Sequence, residues 1–166
     1  MKKMVRTVAM IPCLLALLAA PSHSAEVGAP VPDFTVRTLA GEQFSKTSLS
    51  GKPALLVFWN TWCSSCKSEL PKLNQVAAKF GPKRLTVLAV NTGLNDSESK
   101  ARAYWKKYSY TFPAGYDHSF EMGENFRVMG VPTIVLVDAQ GLVRYSNSSM
   151  PRDLEERLRQ LTGAVH

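Results

Sequence analysis

Six uninterrupted apolar residues, Ala54-Leu55-Leu56-Val57-Phe58-Trp59, lead into Trp62-Cys63-Ser64-Ser65-Cys66, and an amphipathic stretch begins at the cysteines. An apolar run without polar alternation reads as a strand buried on both faces. Such a strand needs helices covering its sheet. A Cys-x-x-Cys at a strand-to-helix junction points first to redox chemistry. The start of a helix carries unpaired N–H groups and the positive end of the macrodipole. Both favour thiolate over thiol, and thiolate is the reactive species.

The first residues have the layout of an export signal. Lys2, Lys3 and Arg6 precede an apolar stretch over 8–20 that Pro12 interrupts, and Pro21-Ser22-His23-Ser24-Ala25 offers small residues for cleavage near Ser24 or Ala25. The apolar stretch is short for a span, which needs roughly 20 residues. Residues 1–24 are therefore expected to be a signal peptide, or an uncleaved N-terminal membrane anchor, with 25–166 forming one domain. Met10-Ile11-Pro12 ahead of Cys13 does not resemble a lipid-acylation site. Loss of the signal takes three of the 20 basic residues and leaves 17 against 13 acidic ones. That excess is mild, and no basic cluster with interleaved aromatics accompanies it, so no nucleic-acid partner is expected. One cysteine pair three residues apart closes too small a loop to staple a fold.

Along the rest of the chain, 34–39 and 42–45 flank Ala40-Gly41 as a small hairpin. Residues 63–80 read as a helix with Leu70, Leu73, Ala77 and Phe80 at helical spacing, interrupted by Pro71 and ended by Gly81-Pro82. A second buried strand is expected over 85–90. A helix over 97–108 follows, capped by Asn95 or Asp96. Residues 111–116 read as irregular or as a short strand, and 117–128 as a helix weakened by Gly123. A strand over 133–137, a turn at 138–141 and an antiparallel strand over 142–146 follow. A last helix has Pro151 at its first position and Leu154, Leu158 and Leu161 on its buried face. Strand–helix alternation predicts an α/β domain with a parallel core sheet to which the late hairpin adds antiparallel strands.

Four stretches, taken together, resemble the thioredoxin-like redoxins, specifically their exported TlpA/ResA branch, which includes the cytochrome c maturation thioredoxins. They are Ala29-Pro30-Val31-Pro32-Asp33-Phe34, Leu49-Ser50-Gly51-Lys52-Pro53, the run from Phe58 through the cysteines to Pro71, and Gly130-Val131-Pro132-Thr133. The resemblance implies a thioredoxin fold: a mixed central sheet flanked by helices, with an N-terminal β-hairpin extension and a central insert. It implies a protein-disulfide oxidoreductase acting in the periplasm or another extracytoplasmic space. The only redox group implied is the Cys63-Cys66 disulfide, with no other cofactor and no metal. The implied partners are a disulfide-containing exported protein, with apocytochrome c as one candidate, and a membrane thiol electron donor. Nothing demands more than a monomer. Two positions depart from the family: Ser65 stands where proline is frequent, and Val57 where cytoplasmic thioredoxins keep a buried acid.

Cys63, at the helix start, is expected to be the attacking thiol, and Cys66, one turn in, the resolving one. By resemblance Pro132 is a cis-proline facing the cysteines; the residues alone leave an ordinary trans bond open. The resemblance lets Val131, flanked with Pro132 by Thr133, pair with an extended substrate segment. It also implies that Glu69 accepts a proton near the cysteines, whereas the residue alone equally suits a carboxylate near a helix start. Ser64 and Ser65 are either donors to the Cys63 thiolate or small residues fitting a tight turn. Trp62 is expected to flank the site; Trp59 either flanks it or packs in the core. Competing readings are a disulfide-forming or isomerising enzyme, a thiol peroxidase, and a Cu(I) carrier using two thiolates. A structural zinc site lacks ligands.

Overall fold

A computed structural model describes residues 25–163, and the expected signal peptide or anchor over 1–24 lies outside them. The strands are β1 (Thr35–Thr38), β2 (Gln43–Ser45), β3 (Ala54–Trp59), β4 (Thr86–Asn91), β5 (Ala114–Tyr116), β6 (Thr133–Val137) and β7 (Val143–Asn147). The helices are α1 (Ser64–Phe80), α2 (Glu98–Tyr108), α3 (Glu121–Asn125) and α4 (Leu154–Thr162), with a 3-10 turn at Lys46–Leu49. All seven strands form one sheet in the order β2-β1-β5-β4-β3-β6-β7. β3, β4 and β5 run parallel, while β6, β7, β1 and β2 join antiparallel. No helix among the described residues is long and apolar enough to cross a membrane.

All six residues of β3 are fully buried. The period-2 geometry of a strand sends Leu55, Val57 and Trp59 to one face, where they join Leu70 and Leu73 of α1 and Leu154 and Leu158 of α4. Ala54, Leu56 and Phe58 face the other way, onto Phe34, Val36, Leu49, Met122 and Phe126. The unbroken apolar run is thus explained by two cores, one on each side of the central strand. The redox motif leaves the C-terminal end of β3, the edge at which parallel α/β sheets place their sites.

Three local expectations are corrected. Only Glu121–Asn125 of the predicted helix over 117–128 is helical. Phe120 ahead of it is left-handed (φ 61°), and a Cβ on Gly123 would meet its ring at 2.2 Å, so this segment turns tightly. The buried Asp117 carboxylate accepts the Gly123 N–H at 2.9 Å and closes the turn. Burial pushes this carboxyl up, against the bonds it receives from the turn's N–H groups. α2 is capped by Ser97, whose hydroxyl accepts the Lys100 N–H at 3.3 Å, and not by Asn95 or Asp96. Pro151 precedes α4 instead of opening it: its carbonyl accepts the Leu154 N–H, and Asp153 is the cap residue.

The β6–β7 turn rests on Asp138, 2% exposed, which accepts the N–H groups of Gln140 (3.0 Å) and Leu142 (2.8 Å) and the Arg144 guanidinium (2.6 Å). Burial raises this carboxyl, but the bonds from Leu142, Arg144 and Gln140 outweigh burial and hold it below the usual range. A carboxyl lowered by folding stabilises above its unfolded pKa of about 3.9 and loses that stabilisation as pH falls through the folded value. Asp138→Asn is therefore expected to cost about 1–3 kcal/mol at pH 7 and progressively less below about pH 4. Urea unfolding at both pH values checks this.

Candidate active site

Cys63 and Cys66 form a disulfide (S–S 2.07 Å, Cα–Cα 5.3 Å) where β3 passes into α1. Cys63 occupies the cap position of α1, and its Sγ accepts the Cys66 N–H at 3.1 Å. The Ser65 hydroxyl lies 3.6 Å from the same sulfur. On reduction, the Cys63 thiolate inherits these donors and the positive end of a 17-residue helix. Cys63 is on the surface side (4% exposed) and Cys66 is fully enclosed. The asymmetry puts one sulfur within reach of a partner and keeps the other behind it.

The sequence-predicted residues separate into two groups. Trp62, Ser65, Val131 and Pro132 surround the disulfide. The Val131–Pro132 bond is cis, and the Val131 carbonyl oxygen lies 3.5 Å from Cys63 Sγ. Trp62 is half exposed, and its indole N–H donates to the Leu94 carbonyl at 3.0 Å. The other group stands back. Ser64 is exposed. The Thr133 hydroxyl donates to the Gly130 carbonyl at 2.7 Å, closing the turn before β6. Trp59 is a core residue, fully buried between Tyr104 and Trp105 with ring centroids 5.1 and 5.3 Å away.

Glu69 lies on α1 one turn beyond Cys66. Its side chain is 13% exposed; Oε1 pairs with Lys72 Nζ at 3.0 Å, and Oε2 is buried without a hydrogen-bond partner. Burying a carboxylate oxygen without a partner is costly.

Sequence reading missed a polar cluster beneath the Trp62 side of the site. Asn60 and Asn91, at the ends of β3 and β4, are 1% and 0% exposed. Asn60 accepts the Thr92 hydroxyl at 2.7 Å and donates to Asn91 at 3.3 Å. Asp96 then ties Thr61 and Asn91 together. The available signal was position: an asparagine follows each of the two apolar strand runs at the carboxyl edge of the sheet. Among the described residues, no group of three or more His, Cys, Asp or Glu side chains is placed to hold a metal ion.

Among the described residues, large apolar side chains that remain exposed include Trp62 (52%) and Leu94 (47%), whose carbonyl accepts the Trp62 indole N–H, and Met129 (96%), two residues before Val131. A groove of about 300 Å³ runs beside Met129, between the 129–133 turn and Ser146 and Ser148.

Comparison with known proteins shows the family and the fold. The AhpC/TSA family matches residues 27–146. The thioredoxin-like protein YneN of Bacillus subtilis is 34% identical over 134 residues, covering 79% of this chain and 78% of that protein. The thiol-disulfide oxidoreductase ResA of Geobacillus kaustophilus is 28% identical over 174 residues, covering 97% of this chain and 99% of its own. Among solved structures, a secreted Mycobacterium tuberculosis disulfide oxidoreductase homologous to E. coli DsbE superposes with a TM-score of 0.65 at 31% identity, covering 77% and 96% of the two chains.

Proposed function

Because this chain belongs to the AhpC/TSA family of thioredoxin-like proteins and is a thiol-disulfide oxidoreductase of the ResA/DsbE type, we propose that it acts outside the cytoplasm as a reductant of disulfides in exported proteins. The observation that carries the reading is the placement of Cys63 Sγ at the cap of α1, bonded by the Cys66 N–H, with Cys66 enclosed behind it.

The Cys63 thiolate attacks one sulfur of the substrate disulfide. A mixed disulfide forms, and the other substrate sulfur leaves as thiolate and takes a proton. Cys66 gives its proton to Glu69, and its thiolate attacks Cys63 Sγ. This restores the Cys63–Cys66 disulfide and releases the second substrate thiol. Two electrons pass to the substrate, and a membrane dithiol donor returns them. Val131, beside Pro132, offers its backbone to an extended substrate segment, and the exposed Trp62 and Leu94 side chains flank it. The export-signal pattern over 1–24 and the secreted relative support the compartment. Disulfide exchange is favoured over peroxide reduction because the Thr61 hydroxyl, the threonine nearest Cys63 in sequence, is committed to Asp96 at 2.7 Å.

Oxidised apocytochrome c is the substrate to try first. Reduced Cys66→Ala protein is expected to form a mixed disulfide with it through Cys63, detected as a mass adduct that dithiothreitol reverses. Adducts with insulin but none with the apocytochrome would remove that substrate and leave the chemistry standing. For the proton acceptor, Glu69→Gln is expected to slow resolution of the mixed disulfide on the order of 10²-fold at pH 7 and to shift its pH profile, as loss of a general base does. Stopped-flow resolution rates across pH 5–9 check this; an unchanged profile would return Glu69 to a merely structural place.

A further inference from the structure

We propose that Asp96 is a positioning residue for exchange with polypeptides: it ties residues 61–63 to the 92–97 loop, so that Trp62 and Leu94 stand as one fixed apolar lip beside the disulfide. The inference rests on the reading that the substrate is a protein.

Both carboxylate oxygens of Asp96 are fully engaged. Oδ2 accepts the Thr61 backbone N–H at 2.6 Å and the Asn91 amide at 2.8 Å. Oδ1 accepts the Thr61 hydroxyl at 2.7 Å and the Ser97 N–H at 2.9 Å. One side chain therefore joins the segment entering the cysteines, the end of the central strand β4, and the start of α2. The loop is held from its other side as well. The Tyr116 hydroxyl donates to the Asp96 carbonyl at 3.1 Å, and the Gly93 N–H donates to Asn91 at 3.0 Å. Gly93 is left-handed (φ 73°), and a Cβ there would meet the Asp117 carbonyl at 2.6 Å, so the loop has little room to move. Burial raises the Asp96 carboxyl, but the bonds from Asn91, Thr61 and Ser97 hold it low, so it stays ionised as these donors require.

This brace ends at two apolar side chains turned to solvent. The Trp62 indole N–H is fixed on the Leu94 carbonyl, while both side chains are about half exposed. Holding a large aromatic in place before a partner arrives removes part of the ordering cost of binding, and tryptophan is the residue type most often found at binding hot spots. A small disulfide that enters only as far as Cys63 has no use for the lip.

The test is Asp96→Asn. An amide nitrogen then faces donors that the carboxylate accepted, and part of the brace is lost. Rate constants are measured for oxidation of the pre-reduced protein by insulin and by hydroxyethyl disulfide. The variant is expected to lose roughly tenfold with insulin and less than about twofold with hydroxyethyl disulfide. The Trp62 indole N–H should exchange with D2O about tenfold faster, and that of Trp59 at its former rate. Asp138→Asn, which removes a comparable buried carboxylate at the β6–β7 turn, should change none of these. If Asp96→Asn fails to fold, Thr61→Val, which removes the hydroxyl bond alone, should move insulin oxidation and Trp62 exchange in the same direction by less. Equal losses with both disulfides, or unchanged Trp62 exchange in a folded variant, would overturn the proposal. If the unaltered protein reacts with hydroxyethyl disulfide but not with insulin, the protein-substrate reading fails, and Trp62 exchange still decides the brace.

Discussion

Cys63→Ala is expected to lower insulin-disulfide reduction by on the order of 10³-fold or more, to the background of the reductant alone. The expectation follows from the asymmetry of the pair. Cys66 is fully enclosed, so it has no route to a protein disulfide when Cys63 is gone. Alanine also removes the acceptor that caps α1, a loss worth about 0.5–2 kcal/mol. Cys63→Ser separates the two effects: serine is a good cap and a poor nucleophile under these conditions, so the helix keeps its start while exchange stops. A Cys63→Ala protein that still reduced insulin through Cys66 would show that the geometry assigns the two thiols the wrong way round.

The largest expected effect on stability comes from Phe58→Ala. Phe58 is fully buried on the face of β3 away from the cysteines, with its ring 5.2 Å from that of Phe126, which in turn packs edge-on to Phe34 at 5.6 Å. Truncation leaves a cavity among groups held by both the sheet and the 120–128 segment, so little collapse can offset it. The cost is expected to be about 3–5 kcal/mol, against a total of roughly 5–15 kcal/mol for a domain of this kind. The urea midpoint should drop by about 1 M or more. The Cys63–Cys66 potential should stay where it was, because the site is on the opposite face. A loss under about 1 kcal/mol would mean that the second core is not closed as described.

Much of this architecture was legible from local pattern. The 54–59 run has no polar residue to place on a surface, so only a doubly covered strand could accommodate it, and β3 is that strand. Gly81-Pro82 stops α1 because Gly81 takes a positive φ that leaves the helix and proline cannot donate into it. The disulfide pair was readable because its chemistry requires that spacing. The misread segments are those decided by particular side-chain contacts, local or distant, that periodicity does not encode. Residues 117–128 read as one helix, yet the Phe120 ring occupies the space over Gly123 and Asp117 closes a turn there. Asp96 has a cap residue's composition and position, but Thr61, 35 residues earlier, claims its carboxylate. Nothing local in the sequence distinguishes a capping aspartate from one serving the segment beside the cysteines. Trp59 was ambiguous for a related reason: its neighbours Tyr104 and Trp105 come from α2, and only the fold brings them against it.

The reduction potential of the Cys63–Cys66 pair, measured by equilibration in dithiothreitol or glutathione buffers, decides whether this protein reduces or donates disulfides. No cation lies between the cysteines to favour the thiolate strongly, as a potent oxidant would need. A reductant fed by a stronger dithiol donor should lie at or below roughly −230 mV. A value above roughly −150 mV would contradict that role and make this protein a donor of disulfides.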